Sequence, residues 1–151
     1  MAIKRKFPPR VATVYCSGGC RAKKDEDGAL LCAYGCIGCG LCVKNCPADA
    51  IHIEQFHAVI DTVRCLSCGA CAVVCPRHVI QMKPIAPQPA VKCSNKDKGV
   101  LVNKTCKVGC IACGLCVRNC PNEAIFLKDN VAAIDYTKCK NCTMCAKACP
   151  R

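Results

Sequence analysis

A run of four closely spaced cysteines, closed by a proline, constrains this chain more than any other feature. Successive cysteines are separated by two, two and three residues, and the run occurs four times in 151 residues. This is the ligand pattern of bacterial iron–sulfur clusters. The runs place 16 of the 21 cysteines: Cys36, Cys39, Cys42 and Cys46; Cys65, Cys68, Cys71 and Cys75; Cys110, Cys113, Cys116 and Cys120; Cys139, Cys142, Cys145 and Cys149.

The spacing also predicts which cysteines share a cluster. One tight loop can supply three thiolates to a [4Fe–4S] cube, but the fourth must come from elsewhere. In two-cluster ferredoxins the last cysteine of each run crosses to the neighbouring cluster. We therefore expect four [4Fe–4S] clusters: cluster 1 on Cys36, Cys39, Cys42 and Cys75; cluster 2 on Cys46, Cys65, Cys68 and Cys71; cluster 3 on Cys110, Cys113, Cys116 and Cys149; cluster 4 on Cys120, Cys139, Cys142 and Cys145.

Two other uses of cysteine explain the pattern less well. Structural zinc takes cysteines in pairs separated by a longer loop. A disulfide framework is typical of small secreted proteins, and an odd count of 21 cysteines prevents complete pairing.

The basic tail at residues 1–9 lacks the apolar segment of a secretory signal, and no run of about 18 apolar residues predicts a membrane span. We expect a cytoplasmic protein, either free or attached to the cytoplasmic face of a membrane complex.

An internal repeat divides the chain into two modules. Residues 36–51 and 110–125 are identical at 12 of 16 positions, and the same offset of 74 residues relates the second and fourth cysteine runs. We predict an α+β fold of two tandem bacterial-type dicluster ferredoxin modules, at residues 10–83 and 90–151. Residues 84–89 contain three prolines and are expected to form a semi-rigid linker.

Short apolar segments within each module predict secondary structure. We expect a helical turn at 47–50 and strands at 51–54, 58–61, 77–82, 125–128 and 131–134. The strand at 77–82 closes the first module. The second module reaches Arg151 without an equivalent strand, and we expect that the chain is truncated there, with an edge strand from another protein as the alternative.

Two cysteines upstream of the third run carry a more specific resemblance. Cys93 begins the segment 93–121, in which Cys106 lies four residues before Cys110. This segment is similar to the C-terminal ferredoxin region of the B subunit of the Rnf complex, and the similarity covers most of residues 11–151. Rnf couples electron flow between reduced ferredoxin and NAD to ion pumping, so the resemblance implies an electron-relay module that docks to redox partners. The membrane anchor and further iron–sulfur domain of that family have no counterpart in these residues, so membrane attachment and pumping do not carry over.

The sequence shows no acid–base constellation of the kind that catalysis requires. We interpret the chain as a non-catalytic relay subunit of a larger ferredoxin/NAD-linked oxidoreductase. A free polyferredoxin carrier and a structural metal-binding module are the alternatives. The expected partners are an acidic ferredoxin, a flavoprotein or other subunits of the complex. The formal charge of +12 does not indicate nucleic acid, because four clusters of roughly −2 each bring it to about +4 and no recognition motif is present.

Five cysteines remain outside the runs. Four of them, Cys16, Cys32, Cys93 and Cys106, occupy repeat-equivalent positions, whereas Cys20 has no counterpart. Equivalent positions predict a role that both modules share. Three hypotheses stay open: buried thiols that pack as small apolar side chains, a fifth metal site on the four equivalent cysteines, and disulfides.

Other candidate ligands and charged residues have simpler explanations. The three histidines, His52, His57 and His78, are expected at the surface, because each cluster already has four thiolates. The segment 92–107 carries five lysines and one acid, and it is either a solvated loop or a docking patch for an acidic redox partner. These lysines are Lys92, Lys96, Lys98, Lys104 and Lys107.

Overall fold

The computed structural model describes residues 10–20, 24, 26–28, 32–84 and 89–151. The first module contains β1 (Arg10–Val14), α1 (Leu41–Lys44), β2 (Ile51–Glu54), β3 (His57–Ile60), α2 (Ala70–Val74) and β4 (Ile80–Pro84). The second contains α3 (Gly99–Thr105), α4 (Leu115–Arg118), β5 (Ile125–Lys128), β6 (Val131–Ile134) and α5 (Met144–Ala148). The predicted tail at 1–9 and residues 85–88 of the predicted linker lie outside the described residues, and the module bounds stay a prediction.

Each module contains an antiparallel hairpin where the sequence predicts one. Ile51 pairs with Ile60 in the first hairpin, and Ile125 pairs with Ile134 in the second. Strand β3 begins one residue earlier than expected, at His57. Both central residues of each turn have positive φ, as in the tight turns that match strand twist. The hairpins bury equivalent residues, with Ile51 and Ile125 at 5% exposure, which supports the repeat.

The short helices lie inside the cysteine runs, and the helical turn predicted at 47–50 is wrong. Helices α1, α2, α4 and α5 each start one residue before the third cysteine of a run. The segment after the first run cannot continue as a helix, because Asp49 has a φ of 47°. Helix α1 packs against α2, and α4 packs against α5. These two contacts bring the two runs of each module together.

The closing strand of the first module exists, but its predicted bounds are wrong. Strand β4 starts at Ile80 rather than at residue 77, because His78 has a φ of 51°, which is incompatible with an extended strand. It pairs antiparallel with β1, with Val14 opposite Ile80. The sequence analysis did not predict β1. This small sheet closes the core of the first module, where Val11, Ala12 and Val14 are buried.

Cysteines form a large part of that core. Four of the twelve buried residues in the cluster are cysteines of the runs: Cys42, Cys65, Cys71 and Cys75. The others are small or branched side chains such as Ala50, Ile51, Val79 and Ile80. A core with so few large apolar side chains makes only a modest contribution to stability. The fold therefore depends on whatever the cysteines bind.

Side-chain contacts join the two modules. The Ser17 hydroxyl donates to the Lys92 carbonyl oxygen at 3.2 Å, and the equivalent Ser94 hydroxyl donates to the Tyr34 carbonyl oxygen at 2.9 Å. Lys83 Nζ lies 4.2 Å from the ring centroid of Tyr136, within the range of a cation–π contact. The modules thus meet along a face made of equivalent segments.

Candidate iron–sulfur sites

The second cysteine of every run lies between two residues in the left-handed conformation. Glycine and asparagine adopt this backbone readily, whereas a β-branched residue such as Thr143, with a φ of 59°, is strained there. The eight flanking residues are Gly38, Gly40, Ser67, Gly69, Ala112, Gly114, Asn141 and Thr143. Two reversals of the chain within three residues create the tight loop that three cluster ligands require.

Backbone N–H groups surround the sulfur atoms. The N–H of Gly38 donates to Cys36 Sγ at 3.4 Å, and the N–H of Ala50 donates to Cys46 Sγ at the same distance. In the second module, the N–H of Ala124 donates to Cys120 Sγ at 3.4 Å. Such donors stabilise thiolates and help to set the reduction potential of a cluster. The loops therefore fit iron–sulfur ligation.

In the first module the cysteines line two separate cavities. One is lined by Cys36, Cys39, Cys42 and Cys75. The other is lined by Cys46, Cys65, Cys68 and Cys71. Each cavity thus contains three cysteines of one run and the last cysteine of the other.

The second module brings together most of the equivalent residues. A wider groove is lined by Cys110, Cys113, Cys116 and Cys149, and also by Cys145. Cys145 interacts electrostatically with Cys139 and Cys120. Cys142 is exposed, as are the other second cysteines of the runs, Cys39, Cys68 and Cys113. At least one cysteine of every predicted set is therefore exposed, and the set of cluster 3 has a second, Cys149.

Burial raises the pKa of the third cysteine thiol in every run. Burial, followed by the nearby Cys65 thiolate, raises the pKa of the Cys71 thiol to about 11. The pKa values of the equivalent thiols of Cys42, Cys116 and Cys145 are also raised, chiefly by burial. A metal-free thiol of this kind is protonated near neutral pH, so iron binding must displace its proton.

Cysteine geometry differs from that of a mononuclear site. No disulfide joins any of the 21 cysteines, all of which lie in the described part of the chain. Among the residues that the structure describes, no three cysteine, histidine or acidic side chains converge closely enough for a single metal ion. A [4Fe–4S] cluster binds its four thiolates through four different iron atoms, so its ligands need no such convergence.

The five cysteines outside the runs gather in one place. A single cavity between the modules is lined by Cys16, Cys20, Cys32, Cys93 and Cys106. We call this the interface cavity. Burial raises the pKa of the thiols of Cys16, Cys32 and Cys93. One of the three hypotheses from the sequence, a fifth metal site on the four equivalent cysteines, requires both modules at one place, and the structure brings those cysteines to one cavity.

The histidines are only partly where the sequence predicts them. His52 and His78 are exposed, and His52 Nε2 lies 3.0 Å from Glu54 Oε1. His57 differs, because it is half-buried and its Nδ1 has no hydrogen-bond partner among the described residues. A Cβ atom at Gly18 would lie 2.4 Å from that nitrogen. The missing side chain at Gly18 thus makes room for the imidazole.

The lysine-rich segment contains a helix that was not predicted. Helix α3 occupies Gly99–Thr105, and all five lysines of the segment are exposed. Lys96 Nζ lies 3.7 Å from Asp129 Oδ2. Val100 is 71% exposed beside these charges. The segment therefore presents positive charge and some apolar surface to solvent.

The cysteine loops, the cavities lined by cysteines of two runs and the N–H donors are the features of an iron–sulfur protein. Residues 35–79 and 109–151 match the 4Fe-4S dicluster domain, and a second model with the same description matches residues 64–125. The chain belongs to this family. Its two dicluster domains imply four [4Fe–4S] clusters, which confirms the number predicted from the cysteine runs.

Three relatives are more specific, and each is the B subunit of an ion-translocating complex. The B subunit of the proton-translocating ferredoxin:NAD(+) oxidoreductase complex of Clostridium ljungdahlii is 45% identical to this chain over 161 aligned residues. The alignment covers 94% of this chain and 57% of the relative. The chain is 39% identical to that of the Na(+)-translocating ferredoxin:NAD(+) oxidoreductase complex of Acetobacterium woodii, over 93% of this chain and 47% of the relative. It is 38% identical to that of the ion-translocating oxidoreductase complex of Methanosarcina acetivorans, over 80% of this chain and 46% of the relative.

The predicted resemblance to the B subunit of such a complex is confirmed. The chain spans about half the length of these curated relatives. Among the described residues, no helix has both the length and the hydropathy that a membrane span needs.

Proposed function

We propose that this chain relays single electrons through four [4Fe–4S] clusters within a larger ferredoxin/NAD-linked oxidoreductase complex. The exchange of cysteines between runs carries the proposal, because each cavity of the first module holds three cysteines of one run and the last of the other. A [4Fe–4S] cluster takes up and releases one electron at a time. Two such clusters side by side are the arrangement of a bacterial-type dicluster ferredoxin of the α+β class.

The proposed ligands are those that the spacing predicts. Cavity lining supports the sets of clusters 1 and 2, and the groove of the second module supports the set of cluster 3. The electrostatic neighbours of Cys145 support part of the set of cluster 4. The sets are Cys36, Cys39, Cys42 and Cys75; Cys46, Cys65, Cys68 and Cys71; Cys110, Cys113, Cys116 and Cys149; Cys120, Cys139, Cys142 and Cys145.

Two features of the cysteine runs favour electron exchange with a partner: an exposed cysteine and backbone N–H groups near the sulfur atoms. The exposed second cysteine of each run places one ligand at the surface, where a redox partner can approach. Backbone N–H groups at Cys36 and Cys46 stabilise the added negative charge of the reduced state. The role therefore requires binding and potential tuning but no acid–base residue.

The partners follow from the named relatives and from surface charge. Relatives are B subunits of ferredoxin:NAD(+) oxidoreductase complexes, so we propose other subunits of such a complex, and an acidic ferredoxin or flavoprotein, as partners. The exposed lysines on and around α3 form a positive surface that would speed the encounter with an acidic protein. We further propose that this exchange takes place on the cytoplasmic side.

Two measurements test the function. The protein, purified without oxygen, should absorb visible light, and the absorbance should bleach when a reduced ferredoxin is added. Stoichiometric zinc without iron would reduce the chain to a structural metal-binding module. Migration in native extract at the mass of the isolated chain, 16.1 kDa, would instead make it a free carrier.

A further inference from the structure

The interface cavity lies outside the four cysteine runs. Its five cysteines fall outside the segments 35–79 and 109–151 that match one model of the dicluster domain, although Cys93 and Cys106 lie within the segment 64–125 that matches the second. They come from both modules, with Cys16, Cys20 and Cys32 on one side and Cys93 and Cys106 on the other. A site that needs both modules has no counterpart in either dicluster domain alone.

The lining of this cavity resembles that of the two cysteine-lined cavities of the first module. All three are lined by at least four cysteines. A third cavity with this lining therefore indicates a third occupant of the same kind.

Glycines keep space open around the sulfur atoms. A Cβ atom at Gly35 would lie 3.3 Å from both Cys16 Sγ and Cys32 Sγ, so these two sulfurs are separated by no more than twice that distance. A Cβ atom at Gly19 would lie 2.8 Å from Cys106 Sγ, and one at Gly109 would lie 3.3 Å from it. Side chains at these positions would crowd the cysteine sulfur atoms.

The sulfur atoms are surrounded by donors, as in the cysteine runs. The Gly18 N–H donates to Cys16 Sγ at 3.4 Å, which repeats the contact of Gly38 with Cys36. The backbone N–H groups of Tyr34 and Gly35 serve Cys32 in the same way. These are the contacts that thiolate ligands need.

A buried amide adds an independent sign of a missing acceptor. Asn95 lines the cavity with only 3% of its surface exposed. Its Oδ1 accepts the Asp97 N–H at 2.8 Å, which settles the orientation of the amide. Its Nδ2 is buried and has no partner among the described residues. A buried donor without a partner is costly, and the sulfur atoms of a cluster are suitable acceptors.

We propose that the interface cavity binds a fifth [4Fe–4S] cluster. Two repeat-equivalent cysteines from each module supply its four thiolates: Cys16, Cys32, Cys93 and Cys106. A pair of disulfides would use the thiols but would leave the buried Asn95 donor without an acceptor. Reciprocal hydrogen bonds from Ser17 and Ser94 flank the site and hold the modules together around it.

The position of the site suggests how it would serve the chain. Cys16 accepts a backbone hydrogen bond from Cys36, and Cys93 accepts one from Cys110. The fifth cluster would thus lie between clusters 1 and 3 and carry one electron from one module to the other, the donor cluster being oxidised as the recipient is reduced. This last step rests on the proposed relay function, whereas the site itself does not.

Metal content tests the site in the full chain reconstituted with iron and sulfide without oxygen. The wild type should bind about 20 iron atoms, whereas Cys32→Ala and Cys106→Ala should each bind about 16, since one cubane is lost. Cys20→Ala is the matched control. It removes a thiol that is buried in the same cavity but has no repeat counterpart, and it should keep about 20 iron atoms.

Several results would overturn the proposal. The wild-type count decides even if a variant fails to fold: about 16 iron atoms would exclude the cluster. One zinc per chain in addition to about 16 iron atoms would identify zinc as the occupant. Fewer than 21 titratable thiols after cluster removal in denaturant would identify a disulfide. Equal iron loss in Cys20→Ala and Cys106→Ala would refute the ligand set.

A second variant probes the donor. Asn95→Ala should keep the iron content, while the reduction potential of one cluster becomes more negative because a hydrogen bond to sulfur is lost. Unchanged potentials for all clusters would overturn the role of Asn95 as a donor. The relay function has a separate readout: a full iron count without reduction by ferredoxin would refute the relay and leave the site intact.

Discussion

At the scale of single residues, backbone conformation decides how the cysteines are presented. The second cysteine of each run lies between two residues in the left-handed conformation, although only some of these residues are glycines. Ser67, Ala112 and Thr143 adopt the same backbone with a side chain, which costs on the order of 1–3 kcal/mol each. The loop geometry is therefore set by ligation rather than by intrinsic preference.

The strain at Thr143 can be tested with a pair of opposite substitutions. Thr143 and Gly69 are equivalent, with φ of 59° and 76°. Thr143→Gly should raise the stability of the holoprotein by about 1 kcal/mol, because glycine adopts positive φ without a steric penalty. Gly69→Thr should lower it by a similar amount. The midpoint of the thermal loss of visible absorbance measures both, and a lower midpoint for Thr143→Gly would contradict the explanation.

At the scale of elements, the pairing of α1 with α2 and of α4 with α5 matters most. Each helix begins inside a cysteine run, so the contact between helices places the last cysteine of one run at the cavity of the other. The hairpins follow from local alternation of apolar residues and turn residues. The β1–β4 pair instead joins residues about seventy positions apart, and no local pattern predicts it.

The exchange of ligands makes a specific prediction about Cys75. Cys75→Ala should damage the cluster held by Cys36, Cys39 and Cys42, because Cys75 lines their cavity. The cluster of its own run should be retained. Electron paramagnetic resonance of the partly reduced protein can resolve the individual signals. Cys46→Ala is the reciprocal variant, and loss of the same signal in both would refute the exchange.

At the scale of the whole molecule, stability and charge both depend on the clusters. The buried core of the first module is one-third cysteine, and aromatic residues make up only 4% of the chain. Bound clusters also offset much of the formal charge of +12. What remains for partner recognition is the distribution of charge over the surface, above all around α3.

Cluster removal should therefore unfold the chain. Cysteines of the runs occupy the core and the apolar surface available for burial is small, so we expect the free energy of cluster binding to be largely folding free energy. Treatment with an iron chelator and an oxidant should abolish most of the far-ultraviolet circular dichroism signal together with the visible absorbance. A cluster-free chain that keeps its full signal would show that packing alone is sufficient.

The surface around α3 should govern the rate of electron entry from an acidic donor. Lys98→Glu combined with Lys104→Glu should slow reduction several-fold at low salt, and the difference should vanish near 0.15 M, where the Debye length is about 8 Å. Lys96 is less suitable, because it already pairs with Asp129. Stopped-flow reduction by an acidic ferredoxin across a salt series gives the rates.

The matched control reverses two exposed basic residues of the first module. Lys44→Glu with Arg64→Glu makes the same change in net charge at exposed positions of the first module, whereas α3 belongs to the second. It should have a smaller effect on the rate, and neither double variant should change the iron content. Equal slowing by both pairs would show that net charge, not this surface, controls the encounter.

The sequence by itself determined the protein family, the number of clusters and both hairpins. These follow from local spacing, because a loop of fixed length can reach only certain corners of a cube and a short alternating segment has one apolar face. Tertiary structure alone decided the rest. The unpredicted strand β1, the half-buried His57 and the meeting of Cys16 with Cys93 each depend on contacts between residues far apart in the chain. No spacing within one module encodes such contacts, since they form only when two separate segments pack against each other.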